Sequence, residues 1–352
     1  MGFLKEGKWV DDDLSGLLKE GRLARPPTQF RNKITKDGSS GFPAVPGRYR
    51  LYVSYACPWA HRTLITRTLK QLEAAIPILI VSPLMLKQGW TFEDFPGSTP
   101  DTANGFHYLH QVYTTTMSDY TGRVSVPVLW DTVTRQIVNN ESAEIILMMN
   151  EAFDLQGTPD LYPEALREEI EAVNGEVYDK VNNGVYKTGL ARVQDGHEES
   201  ARALFQCLDW LEERLGRQKY LVGDTFTSAD IRLFTTLVRF DPVYFVHFKC
   251  SLRLLSSYHN LSNYLRDIYQ MPGVAATVNM DHIKTHYYRS HLAINPFGLV
   301  PIGPVPDLTL PHDRNRLPER QISRKLPENS KQGFILVVAE TLITTLLASL
   351  SL

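Results

Sequence analysis

Cysteine is scarce in this sequence, with three residues among 352. Cys57, Cys207 and Cys250 are too few and too scattered for a disulfide framework, so they indicate free thiols in a reducing compartment. The initial stretch MGFLKEGKWVDDDLSG carries acidic residues and no apolar h-region, so a signal peptide is not expected. Myristoylation is not expected either, because Glu6 stands where the signal needs Ser or Thr. We therefore expect a cytoplasmic protein.

An excess of charge of one sign is missing as well. The net charge is −2 at pH 7, which gives no electrostatic reason to expect nucleic-acid binding. The hydrophobic fraction of 43% is ordinary for a soluble protein, and 352 residues are enough for two globular domains.

Long apolar runs are absent until the C-terminus, where the sequence reads GFILVVAETLITTLLASLSL. A helix of this length is able to cross a bilayer core of ~30 Å, although Glu340 and the threonines weaken that interpretation. Two hypotheses stay open for residues 317–352, a membrane anchor and a variable tail. We expect the variable tail, and hence no membrane association.

Composition and hydrophobic period divide the rest of the chain. Residues 1–46 are polar and rich in Gly, Pro and Arg, which is typical of an arm or loop. Residues 47–155 predict the order β-α-β-loop-β-β-α, with a helix that begins at Pro58 and a buried parallel strand in AIPILIVSPLM. The long polar insertion at 87–122 is typical of a functional loop.

Residues 160–316 predict an all-helical domain. Apolar residues recur at a period of 3.6 up to about Met280. Thr227 followed three residues later by Asp230 predicts a capping box at the start of a buried helix. Residues 281–316 are aromatic and rich in His and Pro, and they predict a non-helical C-terminal extension of this domain.

One of the three cysteines stands at a predicted helix start, in the stretch YACPWAHR. Unpaired amides and the helix dipole favour negative charge there, so the pKa of the Cys57 thiol is expected to fall from ~8.5 toward the range of roughly 3.5–7.5. Ala60 occupies the second position of a C-x-x-C motif, so a disulfide partner must come from outside. The alternative is a buried structural cysteine, and spacing alone leaves both open. Only His61 lies at metal-ligand spacing, which makes metal binding less favoured.

Pro127 favours the reactive thiol. It stands within the strand-like run VSVPVLWD, where proline is tolerated at a strand start or in a cis bond. In thioredoxin-like folds a cis-proline lies beside the cysteine at the helix start, and the backbone of the preceding residue, here Val126, pairs with glutathione.

Six segments in order resemble the Xi-class glutathione transferases, which are the glutathionyl-hydroquinone reductases. The resemblance extends from about Arg25 to Arg314. The segments are YVSYACPWAHRTLITRTLK, SDYTGRVSVPVLWD, IVNNESAEII, NNGVYKTG, YLVGDTFTSADIRLFTTLVRFDPVYFVHFKC and THYYRSHLAINPFGLVPIGP.

The resemblance implies a fold, a reaction and a partner. The fold is an α/β N-terminal thioredoxin-like domain followed by an all-α C-terminal domain. The reaction is the reduction of glutathionyl-hydroquinones by glutathione as co-substrate, through a mixed disulfide between Cys57 and glutathione. No metal or permanently bound cofactor is implied, and the family members form homodimers.

The resemblance also implies residues that bind glutathione. Glu141 and Ser142 open a predicted helix, where they are expected to hold the ammonium and the carboxylate of the γ-glutamyl group. Trp90 and Arg123 match positions near the glycyl end, while Val126 and Pro127 match the backbone-pairing position. A plain helix cap is the alternative for the first pair, and packing or a surface position for Trp90 and Arg123.

Tyrosines match the positions that line the quinol pocket, where a ring is gripped and protonated as it leaves. They are Tyr186, Tyr244 and the pair Tyr287–Tyr288, and the sequence does not decide which of that pair faces the site. Packing is the alternative for each of them. The neighbouring histidines, His282, His286 and His291, fit no zinc signature, so no metal site is expected.

Two other functions stay open. One is an omega-like transferase with thioltransferase, dehydroascorbate-reductase or conjugating activity, and the other is a non-catalytic protein that binds ligands on a glutathione transferase fold. Conjugating enzymes usually place Tyr or Ser at the helix start, so Cys57 argues against conjugation. The set of Cys57, Pro127, Glu141 and Ser142 argues against a non-catalytic protein.

Overall fold

A mixed sheet organises the first half of the chain. The computed structural model describes residues 2–12, 15–153 and 155–319. The strands are β1 (Gly2–Lys5), β2 (Lys8–Asp11), β3 (Leu18–Lys19), β4 (Arg22–Leu23), β5 (Tyr49–Val53), β6 (Ile78–Ile80), β7 (Gly122–Arg123), β8 (Val128–Asp131) and β9 (Gln136–Asn139). The main sheet has the order β6-β5-β8-β9. Strand β6 is parallel to β5, and β8 is antiparallel to both β5 and β9, so the predicted parallel strand is confirmed.

Helices cover this sheet and form the second half of the chain. They are α1 (Pro58–Leu69), α2 (Leu109–Thr116), α3 (Ser142–Glu151), α4 (Arg167–Val177), α5 (Gly184–Leu190), α6 (Gln194–Arg217), α7 (Ser228–Leu237), α8 (Phe245–His247), α9 (His259–Tyr269) and α10 (Met280–Ser290). Apolar side chains bury themselves in one core beneath the sheet and in a second core among the later helices. The predicted α/β domain followed by an all-α domain is confirmed.

The predicted start of the first helix is confirmed. Cys57 is the N-cap of α1, and Pro58 takes its first position, where a missing amide hydrogen costs nothing. Helix α1 packs against α3 from its own domain and against α7 from the helical domain. The N-terminus of α1 therefore lies where the two domains meet.

The N-terminal arm is more ordered than its composition predicts. Strands β1 and β2 form a hairpin, and β1 also pairs with β7 at the end of the insertion. Gly7 closes the hairpin at φ +74°, and a Cβ there would lie 1.9 Å from the Ser118 carbonyl oxygen. Leu4 is fully buried. The arm therefore folds back onto the domain, and local composition does not reveal the pairing of β1 with β7, which lies far along the chain.

Two segments expected to lack helices contain one. The insertion 87–122 holds α2, which is capped by Tyr108 and Gln111. Helix α10 runs through the start of the extension 281–316, so the prediction of a non-helical segment is wrong there. Ile283, His286 and Tyr287 repeat at helical spacing on its buried side. The histidines and tyrosines are buried like apolar residues, which hid the period from a count of apolar residues.

The capping box of the buried helix is confirmed, because Thr227 and Asp230 cap α7 reciprocally. Within the part of the chain that the structure describes, no helix is long and apolar enough to cross a membrane. The two hypotheses for the tail concern residues 317–352, and from 320 onward these lie outside the described residues.

Candidate active site

A cleft of about 460 Å³ opens where the two domains meet. The N-terminal domain contributes Cys57 and Glu141 to its lining, and the helical domain contributes Tyr186 and Tyr287. The predicted site residues that line it are Cys57, Trp90, Arg123, Val126, Pro127, Glu141, Ser142, Tyr186 and Tyr287. Tyr244 and Tyr288 do not line it.

Cys57 lies half-buried at the floor of the cleft. Its Sγ donates a hydrogen bond of 3.5 Å to the carbonyl oxygen of Val126. The peptide bond from Val126 to Pro127 is cis, and β8 begins at the next residue. The fold therefore brings the helix-capping Cys57 next to the segment of Pro127, although Cys57 and its hydrogen-bond partner Val126 are 69 positions apart in the sequence.

The pKa of the Cys57 thiol differs from the expectation. Burial raises it above the ordinary value, while the backbone amide of Ala60, the guanidinium of Arg239, the backbone amide of Trp59 and the guanidinium of Arg25 act in the opposite direction. The helix terminus thus stabilises the thiolate as predicted, but desolvation of the charged sulfur outweighs it in the cleft. The predicted net lowering of the pKa is therefore wrong for this geometry.

Glu141 and Ser142 stand at the N-terminus of α3, at one end of the cleft. Glu141 is the N-cap and accepts a hydrogen bond of 3.2 Å from the amide of Ala143. Thr28 donates to its other oxygen at 3.4 Å. Ser142 is buried, and its hydroxyl accepts a hydrogen bond of 3.4 Å from Arg62. A carboxylate, a hydroxyl and the positive end of a helix dipole suit a ligand that carries both an ammonium and a carboxylate.

Trp90 and Arg123 lie at another part of the lining. The Trp90 ring is buried and stacks on His286 with a centroid distance of 4.8 Å. Arg123 forms an ion pair of 2.5 Å with Asp12 and donates to the Gly2 carbonyl at 3.3 Å. The arm therefore holds the guanidinium at the edge of the cleft.

Three tyrosine hydroxyls form a hydrogen-bonded row. The hydroxyl of Tyr287 lies 2.5 Å from that of Tyr186 and 3.0 Å from that of Tyr244. Tyr288 instead donates to the Pro242 carbonyl at 3.0 Å, away from the cleft. The structure therefore answers the open question of orientation, because Tyr287 faces the cleft and Tyr288 does not. Burial raises the pKa of Tyr186 and Tyr287, so both hydroxyls stay protonated at neutral pH.

Like the tyrosines, the histidines of this region differ in whether they line the cleft; His282 and His286 lie on α10, and His291 directly follows it. His286 and His291 line the cleft, whereas His282 donates to the Pro96 carbonyl at 2.7 Å. Burial lowers the pKa of His286 to about 4, so its ring is neutral. Across the described residues, no group of three or more His, Cys, Asp or Glu side chains is arranged to hold a metal ion.

Three arginines near Cys57 were not identified from the sequence. Arg25 lies over the rings of Trp59 and Tyr186, at 5.0 and 5.5 Å from their centroids. Arg62 is buried on α1, where an arginine among apolar helix positions was an available signal. Arg239 reaches the Cys57 turn from a segment far along the chain, and no local pattern indicated it.

Comparison with known proteins agrees with this geometry. The family model described as Glutathione S-transferase, N-terminal domain, matches residues 56–152, and the one described as Glutathione S-transferase, C-terminal domain, matches residues 194–267. The chain is 52% identical over 324 residues to the glutathionyl-hydroquinone reductase YqjG of Escherichia coli. That match covers 90% of this chain and 99% of the relative.

Solved structures agree in fold as well as in sequence. The glutathione-bound structure of the Escherichia coli protein superposes with a TM-score of 0.83 at 51% identity, covering 89% of this chain and 99% of that one. A Xi-class glutathione transferase from Natrialba magadii superposes with a TM-score of 0.85 at 44% identity, covering 91% and 98%. The chain belongs to the glutathione transferases and, within them, to the Xi class, the family of the glutathionyl-hydroquinone reductases.

Proposed function

We propose that this protein uses glutathione to reduce glutathionyl-hydroquinones to free hydroquinones. The observation that carries the proposal is a cysteine thiol at a helix N-terminus, in a cleft whose other wall holds paired tyrosine hydroxyls. The relative at 52% identity bears the name of this activity, and its solved structure contains glutathione. Nucleophile, anion-binding helix end and proton donors are the three parts that the reaction needs.

Glutathione is held along the N-terminal domain. The N-terminus of α3 and the Ser142 hydroxyl bind the γ-glutamyl carboxylate, and Glu141 pairs with the ammonium. The backbone of Val126, before Pro127, pairs with the cysteinyl residue as an adjacent strand does. Trp90 and Arg123 bind the glycyl end. These contacts place the glutathionyl sulfur next to Cys57.

The reaction joins two glutathione sulfurs in one disulfide and reduces one ring carbon. One sulfur comes from the substrate and the other from free glutathione. The Cys57 thiolate attacks the sulfur of the glutathionyl-hydroquinone, and the bond between that sulfur and the ring carbon breaks. Its electron pair stays on the carbon, which takes a proton as the hydroquinone leaves. A second glutathione, as its thiolate, attacks the resulting mixed disulfide. Oxidised glutathione and the free Cys57 thiolate are the products.

The tyrosine row serves the leaving group. Tyr186 and Tyr287 present protonated hydroxyls to the quinol ring and donate the proton that the ring carbon requires. Tyr244 lies behind Tyr287 and orients it rather than lining the pocket. Tyr288 has no part in this step, because its hydroxyl is bonded to a carbonyl outside the cleft.

The substitution Cys57→Ser tests the proposal. We expect the release of hydroquinone from glutathionyl-hydroquinone, measured by chromatography, to fall at least about 10³-fold, since the nucleophile is lost. The matched control is Cys207→Ser in the core of α6, which should keep the activity. Mass spectrometry should find a glutathione adduct on Cys57 of the wild type. A Cys57→Ser variant that keeps most of its activity contradicts the mechanism, and activity found only in a conjugation assay favours a transferase.

A homodimer in the cytoplasm is part of the same proposal. The cytoplasm supplies reduced glutathione, and all three cysteines are free thiols. For the dimer, the support is an apolar strip between residues 292 and 305, in which Phe297 is 88% and Ile302 98% exposed. Patches of this kind mark association surfaces. The exposed members of the strip are Leu292, Phe297, Leu299, Val300, Ile302 and Val305.

A further inference from the structure

Arg239 reaches from the helical domain to the turn that carries Cys57. It follows α7, and its side chain is fully buried. Its Nε donates to the carbonyl of Ala56 and its Nη2 to that of Tyr55, both at 2.9 Å. These are the two residues directly before Cys57, so one planar guanidinium fixes the backbone that leads into the N-cap.

The same guanidinium also holds the helix that follows Cys57. Its Nη1 lies 3.0 Å from Nδ1 of His61 and donates to the Thr235 carbonyl at 2.7 Å. Because arginine has no acceptor, His61 accepts at Nδ1 and carries its proton on Nε2. Nε2 then donates to Thr277 Oγ1 at 2.8 Å, and that hydroxyl donates to the Val274 carbonyl at 2.6 Å. Each bond in this chain has one consistent direction.

The charge of Arg239 is not balanced by an acid in contact. All its hydrogen-bond partners are backbone carbonyls and one imidazole, and the described residues place no carboxylate within hydrogen-bond distance of it. Burial and the nearby guanidinium lower the pKa of His61 far below its ordinary value, so its ring stays neutral. Burying an unpaired cation is costly, and its field is strong where water is excluded.

Other charged and titratable groups also face Cys57. From the arm comes Arg25, which is exposed to solvent and therefore screened. From α1 comes Arg62, whose Nη1 and Nη2 donate to Ser142 and Asn182 while its buried Nε has no hydrogen-bond partner. From α5 and α10 come Tyr186, Tyr287 and His286, which are neutral at pH 7. Among the side chains, Arg239 does most to lower the pKa of the Cys57 thiol.

We infer that Arg239 is a positioning residue for the nucleophile, which fixes the Tyr55–Ala56 backbone and supplies the buried positive charge that stabilises the Cys57 thiolate. The inference rests on the proposed function only in taking Cys57 as the nucleophile. It also links two parts of the site, because the backbone carbonyl of Arg239 accepts from the amide of Tyr244 at 3.2 Å, at the end of the tyrosine row. Arg239 therefore sets Cys57 through its side chain and Tyr244 through its backbone.

The test measures the thiolate directly and needs no quinol. The rate of alkylation of Cys57 by iodoacetamide is followed against pH by peptide mass spectrometry in the wild type, Arg239→Met, Arg239→Gln and Arg239→Lys. Removing the charge should raise the midpoint by about one pH unit or more, which leaves about tenfold less thiolate below the midpoint. Arg239→Lys keeps the charge and should hold the midpoint within about half a unit of the wild type.

The matched control is Arg314→Met. Arg314 is equally buried and donates to the carbonyls of Leu215, Gln218 and Lys219, but it lies away from the cleft. It should lower thermal stability without moving the alkylation midpoint, which separates loss of a buried arginine from loss of charge at the thiol.

Turnover gives a second readout with the same variants. In the neutral variants kcat/KM should fall about tenfold at pH 7 and recover as pH rises, since only the fraction of thiolate is lost. An unchanged midpoint in either folded neutral variant overturns the inference, as does an Arg239→Lys midpoint as high as theirs. If the wild type shows the alkylation midpoint but no quinol turnover, the proposed function fails while the role of Arg239 in setting the thiol stands.

Discussion

The hydroxyl of Tyr287 has two tyrosine neighbours, and one of them faces the cleft. Tyr186 lies on the cleft side at 2.5 Å, and Tyr244 lies behind at 3.0 Å. A hydroxyl has a single proton and can accept two, so Tyr287 can receive a hydrogen bond from Tyr244 while donating toward Tyr186 or the quinol. Because burial raises the pKa of both Tyr186 and Tyr287, the two hydroxyls keep their protons at pH values above the ordinary tyrosine pKa of ~10.

The first prediction separates the adjacent tyrosines of α10. Tyr287→Phe should lower kcat for hydroquinone release by about 10²-fold, the usual loss on removing a positioned proton donor. Tyr288→Phe is the matched control, since the ring stays and only the bond to the Pro242 carbonyl is lost. It should change kcat less than about twofold. Steady-state kinetics at saturating glutathione measures both, and equal losses in the two variants would show that the hydroxyl row is not the donor.

The part of the site that the sequence predicts consists of residues whose signal lies in their immediate sequence neighbours. Cys57 before Pro58, and Glu141 before Ser142, are local helix-start patterns, and the structure places each at its helix N-terminus. Arg239 is different, because it meets Ala56 across 183 positions. Apart from His61, its hydrogen-bond partners are backbone carbonyls, which carry no side-chain signature. The charge that acts on the thiol was therefore hidden from the sequence.

At the level of elements, α5 is pressed against the tyrosine row through Gly189. A Cβ at Gly189 would lie 2.2 Å from Cγ of Phe248. The Phe248 ring stacks on Tyr244 at 5.5 Å, and it meets Tyr186 and Tyr287 edge-on at 5.3 and 5.7 Å. Glycine is therefore needed here for close approach of the helix rather than for an unusual backbone angle.

The prediction at the level of elements concerns Gly189→Ala. Two effects oppose each other, since alanine in a helix gains about 1 kcal/mol over glycine while overpacking costs about 1–3 kcal/mol. The backbone of α5 and the Phe248 ring cannot separate without moving the tyrosine row, so we expect the free energy of unfolding to fall by up to about 2 kcal/mol, with a lower kcat. Urea denaturation and turnover measure the two effects.

Gly175→Ala in α4 is its control. Apart from the neighbouring backbone of α4 itself, no atom lies within 4 Å of a Cβ there, so only the helix propensity acts. The free energy of unfolding should rise by about 0.5–1 kcal/mol with unchanged kcat. If Gly189→Ala stabilises the protein as much as Gly175→Ala does, helix α5 has room to move and the packing argument fails.

The elements that the sequence predicted share one property: apolar residues recur in them at the spacing of a strand or a helix. Strands β5 and β6 and helices α1 and α7 were expected from such runs. Helix α10 was missed because its buried side is built from His282, His286 and Tyr287 beside Ile283. The arm was missed for another reason, since β1 lies in its sheet between the short strand β2 and the distant strand β7. Pairing across more than a hundred positions leaves no local period.

On the scale of the whole molecule, one chain supplies every group that the proposed reaction uses. Thiol, helix end and tyrosine row all come from residues of the same chain, and Arg239 and His61 tie the two domains together beneath them. The apolar strip at 292–305 follows α10. None of its exposed residues lines the cleft, although His291, directly before the strip, does. Association through the strip is therefore not needed to complete the chemistry, and assembly and catalysis are separable by mutation.

The proposed dimer can be tested through that separation. In a two-fold dimer each substitution occurs twice, so Phe297→Asp and Ile302→Asp should bring charge into the interface from both subunits and yield a monomer in sedimentation or light scattering. Val133→Asp is the control, because Val133 is 69% exposed in the turn after β8, remote in sequence from the strip. It should leave the dimer intact. The monomeric variants should keep kcat within about twofold, since one chain supplies every group that the proposed reaction uses. A wild type that is monomeric at micromolar concentration, or strip variants that remain dimers, would show that the strip is not the contact surface.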